Sequence, residues 1–207
     1  TPQNVLYAVP TQNESLLVVG PDGPILKRVM LGIQLLDIQT DPVAAELWAV
    51  DSAGAVYALA SPPHMKVVRQ RADVIGASDG ATDKAELAVT KHNVYVTDRP
   101  RGRSVSLDKE SLETRQKFPS AGPLAVDEAG QRLFVVEGNV HVYGLGTGKP
   151  LHEIALSASD GDSPSAVGIL YEPAKAGIYL KMRSGLNSSV NYRTLWQLYS
   201  GKTRRRL

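Results

Sequence analysis

One short pattern recurs five times along this chain, an aromatic residue among strand-forming apolar neighbours: Val5-Leu6-Tyr7-Ala8-Val9, Leu47-Trp48-Ala49-Val50, Val94-Tyr95-Val96-Thr97, Leu133-Phe134-Val135-Val136 and Ile178-Tyr179-Leu180. The aromatics follow one another at steps of about 40 to 47 residues, the length of one four-stranded β-propeller blade. The competing architecture, a β-sandwich of short strands, shares the turn rhythm but has no reason to repeat one aromatic position five times.

Each copy is followed by a turn and another strand, at Ser15 to Val19, Ala55 to Leu59, Ser104 to Asp108, Val140 to Tyr143 and Thr194 to Leu198. A further, outward strand is predicted at Ile25 to Met30, Met65 to Arg69, Thr114 to Phe118 and Leu151 to Leu156. Short apolar strands precede copies two to five, at Leu35 to Ile38, Glu86 to Val89, Leu124 to Val126 and Val167 to Leu170. Turn chemistry sits between them, in Pro21-Asp22-Gly23, Ser52-Ala53-Gly54, Glu128-Ala129-Gly130 and Gly146-Thr147-Gly148, where glycine or an Asx residue supplies tight-hairpin geometry. The aromatic strands read as continuous apolar runs, as expected of sheets packed on both faces by neighbours.

The expected fold is therefore an all-β propeller of four-stranded antiparallel blades, about five in number with incomplete terminal blades. As a single domain over 1–207, the blades fall at approximately 4–31, 33–70, 85–119, 123–156 and 165–207. The first lacks an innermost strand and the last lacks an outermost one unless Lys202 to Leu207 provides it, so the chain could be a piece of a larger ring or have trimmed ends. An open propeller would expose sheet edges and an apolar blade face, which favours docking on a partner.

Composition narrows the function classes. With 43% hydrophobic residues in 207, the chain can bury a sizeable core. Its longest apolar runs, such as Val5 to Val9, are far short of the roughly 20 residues of a membrane-spanning helix. A net charge of +2, spread out apart from Arg204, Arg205 and Arg206, gives no strong nucleic-acid signal. The absence of cysteine excludes disulfides, a cysteine nucleophile and thiolate metal sites. A first residue Thr1 instead of methionine fits an exported chain matured by cleavage, and equally a trimmed one. A periplasmic or extracellular setting is the expectation, with the cytoplasm still open.

Residues 94–156 resemble two consecutive blades of the YVTN-type β-propeller repeat family, a relative of NHL and quinoprotein-like propellers. The resemblance is carried by Tyr95-Val96-Thr97, by Ser104-Val105-Ser106-Leu107-Asp108, and by the run from Pro123-Leu124-Ala125-Val126-Asp127 through Gly130 to Leu133-Phe134-Val135. It covers roughly a third of the chain and implies an architecture, related also to WD40-like propellers, without implying an activity.

Three sets of residues could carry chemistry. Arg99, Arg101 and Arg103 crowd one turn around Pro100 and Gly102, and three guanidinium groups in five residues suit a protein face or another anionic partner; a solvated charged turn is the ordinary alternative. Asp51, Asp98 and Glu137 each follow an aromatic strand, so they are the weak candidates for an acidic arc that binds a cation. Asp51 and Asp98 could equally start turns by bonding the backbone. Ala77-Ser78-Asp79-Gly80 echoes Ala158-Ser159-Asp160-Gly161, but Asp160-Gly161-Asp162-Ser163 lacks the oxygen-ligand array of an EF-hand. His64, His92, His141 and His152 show no metal spacing, and no G-x-S-x-G elbow or phosphate-cradling glycine loop occurs.

These features point to a non-catalytic scaffold or protein-interaction module, a subunit of an exported or envelope-associated assembly, with no catalytic residue, metal or cofactor expected. The alternative is a metal-dependent lactonase- or lyase-like propeller enzyme, for which Asp51, Asp98 and Glu137 are the candidate acids. Nucleic-acid binding through the terminal arginines ranks last.

Overall fold

The computed structural model describes residues 6–8, 14–20, 22–60, 65–77, 85–156, 165–183 and 194–200. Five antiparallel sheets follow one another along the chain. The first is β1 (Leu6–Ala8), β2 (Ser15–Val19) and β3 (Ile25–Met30). The second is β4 (Leu35–Thr40), β5 (Glu46–Asp51), β6 (Val56–Ala60) and β7 (Val67–Arg71). The third is β8 (Leu87–Val89), β9 (Asn93–Asp98), β10 (Arg103–Asp108) and β11 (Thr114–Phe118). The fourth is β12 (Leu124–Asp127), β13 (Arg132–Glu137), β14 (Asn139–Gly144) and β15 (Pro150–Ile154). The fifth is β16 (Ser165–Glu172), β17 (Gly177–Arg183) and β18 (Thr194–Ser200). Each sheet is a plain up-and-down meander, the blade topology expected from the repeat.

Two compact units can be distinguished, one comprising 1–101 and 105–115, the other 102–104 and 116–207. In the first, Trp48, Val50, Val56, Val94, Val96, Val105 and Leu107 form a dry core. A second cluster there joins Leu16, Leu35, Leu47, Tyr57, Leu59 and Met65. In the other unit the core is Phe134, Val136, Val140, Val142, Ile178 and Leu180.

Burial falls from the middle of a blade outward. In β5 and β9 every residue after the first is buried, whereas β3, β7 and β15 are mostly exposed. Central strands that are dry on both faces have no use for alternation, which is why their sequences are unbroken apolar runs. The exposed outer strands carry charges along their length, such as Lys27 and Arg28 in β3 and Arg69 and Arg71 in β7.

A device absent from the sequence reading recurs at the entry to the outer strands. Gly23, Met65, Leu112 and Gly148 each stand two residues before β3, β7, β11 and β15, and all four have positive φ, at 91°, 48°, 58° and 64°. Glycine takes that left-handed conformation freely, while a side chain costs about 1–2 kcal/mol there. Met65 and Leu112 are nevertheless buried, at 4% and 5% exposure. Burying a side chain of that size contributes about 1.5–3 kcal/mol, which offsets the strain. The sequence rule that reserves such turns for glycine therefore fails at these two positions. Leu112→Ala, which keeps the strain and loses the contact, is expected to destabilise by about 2–4 kcal/mol. Leu112→Gly relaxes the backbone and should cost less, the reverse of the usual order of these residues. Urea denaturation of the two variants decides it.

The predicted Glu128-Ala129-Gly130 turn needs a correction. Its left-handed residue is Gln131, at φ 53°, not Gly130. Gly130 is there for space: a Cβ on it would stand 2.2 Å from Asp127 Oδ2.

Candidate functional site

Asp51, Asp98 and Glu137 close β5, β9 and β13, the same register position in three blades. Their environments differ. Asp51 is buried; its Oδ1 accepts the Ala55 N–H at 2.8 Å and its Oδ2 accepts the Tyr57 hydroxyl at 2.5 Å. That carboxylate therefore closes its own turn, and burial of the phenol, reinforced by the Asp51 carboxylate it donates to, pushes the Tyr57 pKa far up. Asp98 is fully buried at the start of the Arg99–Arg101 turn. Its Oδ1 reaches back along the chain to accept the Gly76 N–H at 2.8 Å, and its Oδ2 faces Arg101 at 3.5 Å. Glu137 is exposed and accepts the Ala121 N–H at 3.1 Å. Asp98 and Glu137 thus tie the connection that enters a blade to the end of its second strand. Among the described residues, no group of three or more histidines, aspartates or glutamates is gathered to hold a metal ion.

The arginine-bearing turn begins as a short 3-10 turn over Arg99–Arg101; Gly102 has φ 61° and Arg103 opens β10. Arg101 is 44% exposed in its side chain while its guanidinium stays near Asp98. Arg99 and Arg103 are half-buried, and each has an interaction of its own within the fold. Ser78-Asp79-Gly80, the stretch 158–163, His64, and Arg204 to Arg206 lie outside the described residues.

Several polar residues that organise the blades were not singled out by sequence. Asp41, at the β4–β5 turn, accepts the N–H groups of Val43 and Ala44, each at 2.8 Å, through Oδ1. Its Oδ2 accepts the Trp48 indole N–H at 3.0 Å and pairs with Lys109. Burial pushes the Asp41 pKa up, but the Lys109 ammonium and those N–H donors outweigh it, and the net shift is downward. Lys109, itself buried, also donates to the Thr90 carbonyl at 3.1 Å, so one ammonium joins the turns of two blades.

In the other unit Asp127 holds the corresponding place, as the last residue of β12. It accepts the Gly130 N–H at 2.8 Å and bonds Arg132 Nε at 3.0 Å and Nη2 at 2.5 Å. Arg132 lies over the Phe134 ring at 5.5 Å, and Phe134 stacks on Tyr171 at 5.8 Å. This aromatic and ionic stack fastens β13 against β16.

Asp37 differs from all of these. It sits in the inner strand β4, with Oδ1 accepting the Ile38 N–H at 2.8 Å and Oδ2 the Leu87 N–H of the next blade at 2.7 Å. Desolvation dominates, and among the described residues no cation pairs with it, so its pKa is pushed up to about 6. The sequence signal was an acid inside the apolar run Leu35-Leu36-Asp37-Ile38. The folded state binds the Asp37 proton more tightly than the unfolded chain does. Its stabilising effect is complete below the unfolded value near 3.8 and is lost as pH rises through about 6. The loss amounts to at most about 3 kcal/mol, less for the partial exposure of this side chain. Asp37→Asn should remove this fall between pH 4 and 6 when denaturation midpoints of variant and wild type are followed across that range.

No protein-family model matches the chain, and no curated protein matches it. Solved structures do. Hydrazine synthase from Kuenenia stuttgartiensis superposes with TM-score 0.69 at 12% identity over 95% of this chain. The WD40 β-propeller domain of Doa1 gives 0.65 at 10% identity over 87%. Hsv2 from Kluyvelomyces marxianus gives 0.60 at 7% identity over 88%. The chain spans 60%, 58% and 57% of those three structures respectively. With the meandering four-stranded sheets, these likenesses establish a β-propeller fold. Identities this low carry the fold alone.

Proposed function

We propose that the chain is a non-catalytic β-propeller scaffold that binds protein partners as a subunit of a larger assembly in the periplasm or outside the cell. The observation that supports this reading most is how the acids available to an enzymatic alternative are used. The oxygens of Asp51 and Asp98 are occupied by Ala55, Tyr57 and Gly76, and these bonds fix turns and connections. Such bonds make rigid blades, and rigid blades present loops without ordering them on contact.

The contact surface proposed for an anionic face of the partner is the turn bearing Arg99, Arg101 and Arg103, with Arg101 as its exposed member. The test is affinity capture from detergent-solubilised extract with wild type, Arg101→Ala, and the triple Arg99→Ala, Arg101→Ala, Arg103→Ala variant. Far-ultraviolet circular dichroism must first show that each variant is folded. Stoichiometric partners held by wild type and lost stepwise by the variants support the proposal. Equal recovery with folded triple variant removes the surface, and thermal stabilisation by a divalent ion that a chelator reverses would favour the metal-dependent lactonase- or lyase-like alternative. Fractionation of the producing cell tests the compartment, because a chain without cysteine has no redox requirement for either side of the membrane.

A further inference from the structure

The four outer strands manage their open edges differently. In β7, Arg69 is bonded to Glu46 and Arg71 to the Leu112 carbonyl. In β11, Arg115 is held by Asp108 at 2.7 Å. In β15, Pro150 withdraws a backbone donor and Glu153 supplies an acid that pairs with Asn139. Of these four strands, β3 alone combines an open edge, large exposed apolar side chains and a cation, Arg28, that has no ion pair among the described residues. Ile25, Leu26 and Met30 are 58%, 55% and 66% exposed, and Lys27 and Arg28 stand exposed between them. No acid lies on the strand.

The backbone of β3 is also aimed. Leu31 donates its N–H to the Glu14 carbonyl at 2.9 Å, across the pair formed with β2. In an antiparallel ladder, residues two apart face the same neighbour. Val29 and Lys27 therefore turn their N–H and C=O groups toward β2, and Arg28 and Met30 turn theirs to the open edge, where no described strand pairs with them.

From this we infer that β3 is a docking edge for an extended acidic segment of a partner protein, which adds to the first sheet as a further strand. Two neighbouring acids of that segment lie opposite Lys27 and Arg28, and apolar residues on either side of them cover Ile25, Leu26 and Met30. The directional row of free backbone groups favours a peptide strand over an anionic lipid surface, which would use the charges and leave that row unpaired. This surface is distinct from the arginine-bearing turn and stands or falls separately from it.

The test is fluorescence anisotropy of a labelled peptide with two central glutamates flanked on each side by two valines, added to the full chain. Three controls accompany it: the same peptide with lysines for the glutamates, the glutamate peptide N-methylated at alternate amides, and phosphatidylserine vesicles. Wild type should bind the glutamate peptide, lose it roughly tenfold on Arg28→Glu, and bind neither the lysine nor the N-methylated peptide comparably. The Arg28→Glu variant should in turn prefer the lysine peptide, and Arg101→Ala should change nothing. No binding of the glutamate peptide, equal binding of the N-methylated peptide, indifference to Arg28→Glu, or Arg28-dependent binding of vesicles in place of peptide would each overturn the inference.

Discussion

Lys109→Ala is expected to lower the free energy of unfolding by about 3 kcal/mol, the lower end of what breaking a buried ion pair costs. The lower end applies because Asp41, whose side chain is fully buried, keeps three donors after the lysine is gone: the Trp48 indole and the amides of Val43 and Ala44. The Thr90 carbonyl loses its donor as well. Urea denaturation at neutral pH gives the magnitude, and a loss under 1 kcal/mol would mean that water reaches Asp41 readily. The acid side of the stability profile supplies a second reading. A depressed carboxylate contributes stability that is present above its ordinary range and is lost as pH falls through its folded value. Without the ammonium that folded value rises, so the acid loss should begin at higher pH in the variant. Lys109→Met combined with Asp41→Asn should cost less than the two single changes added together, because the double change leaves no uncompensated charge.

That pair also shows where sequence reading stops. The strands were legible because each answers to a local rule: Leu47 to Val50 and Leu133 to Val136 are apolar on both faces, and the aromatic within them returns once per blade. The predicted strands at Ser15 to Val19, Ile25 to Met30 and Thr114 to Phe118 match the observed ones end to end. Asp51 was legible for the same reason, since its partners Ala55 and Tyr57 lie within one turn. The bond of Asp98 to Gly76 was not, because Gly76 precedes it by 22 residues and lies on the connection into the blade. Lys109 and Asp41 are 68 residues apart, and only the stacking of one blade on another brings them together. Met65 and Leu112 escaped for a different reason: their backbone strain is accepted in exchange for burial, and burial at a turn is set by the neighbouring blade, not by the turn. Local structure follows local chemistry; the bonds that join blades follow geometry that the chain acquires only after the strands have formed.

Gly122 carries that distinction to its largest expected effect. It precedes Pro123 at the entry to β12, its φ is not in the left-handed region, and nothing in its sequence surroundings demands glycine. Yet a Cβ built there would lie 1.8 Å from the Val136 carbonyl oxygen and 2.8 Å from its carbon. The obstacle is backbone that cannot swing aside as a side chain would, and it is pinned, since the Val136 N–H donates to the Pro123 carbonyl at 2.9 Å. Relief requires β12 and β13 to move apart where Leu124 pairs with Val135. Gly122→Ala is therefore expected to cost about 3 kcal/mol or more, beyond the usual range for one added methyl group. Gly146→Ala is the matched control: no atom lies within 4 Å of its added Cβ and its φ is ordinary. That change should be neutral or stabilise by up to about 1 kcal/mol through the unfolded chain. Equal stability of the two variants in thermal and urea denaturation would show that the β12 entry yields without penalty. A large gap between them would place the rigidity of the fourth blade in a backbone contact that no side chain announces.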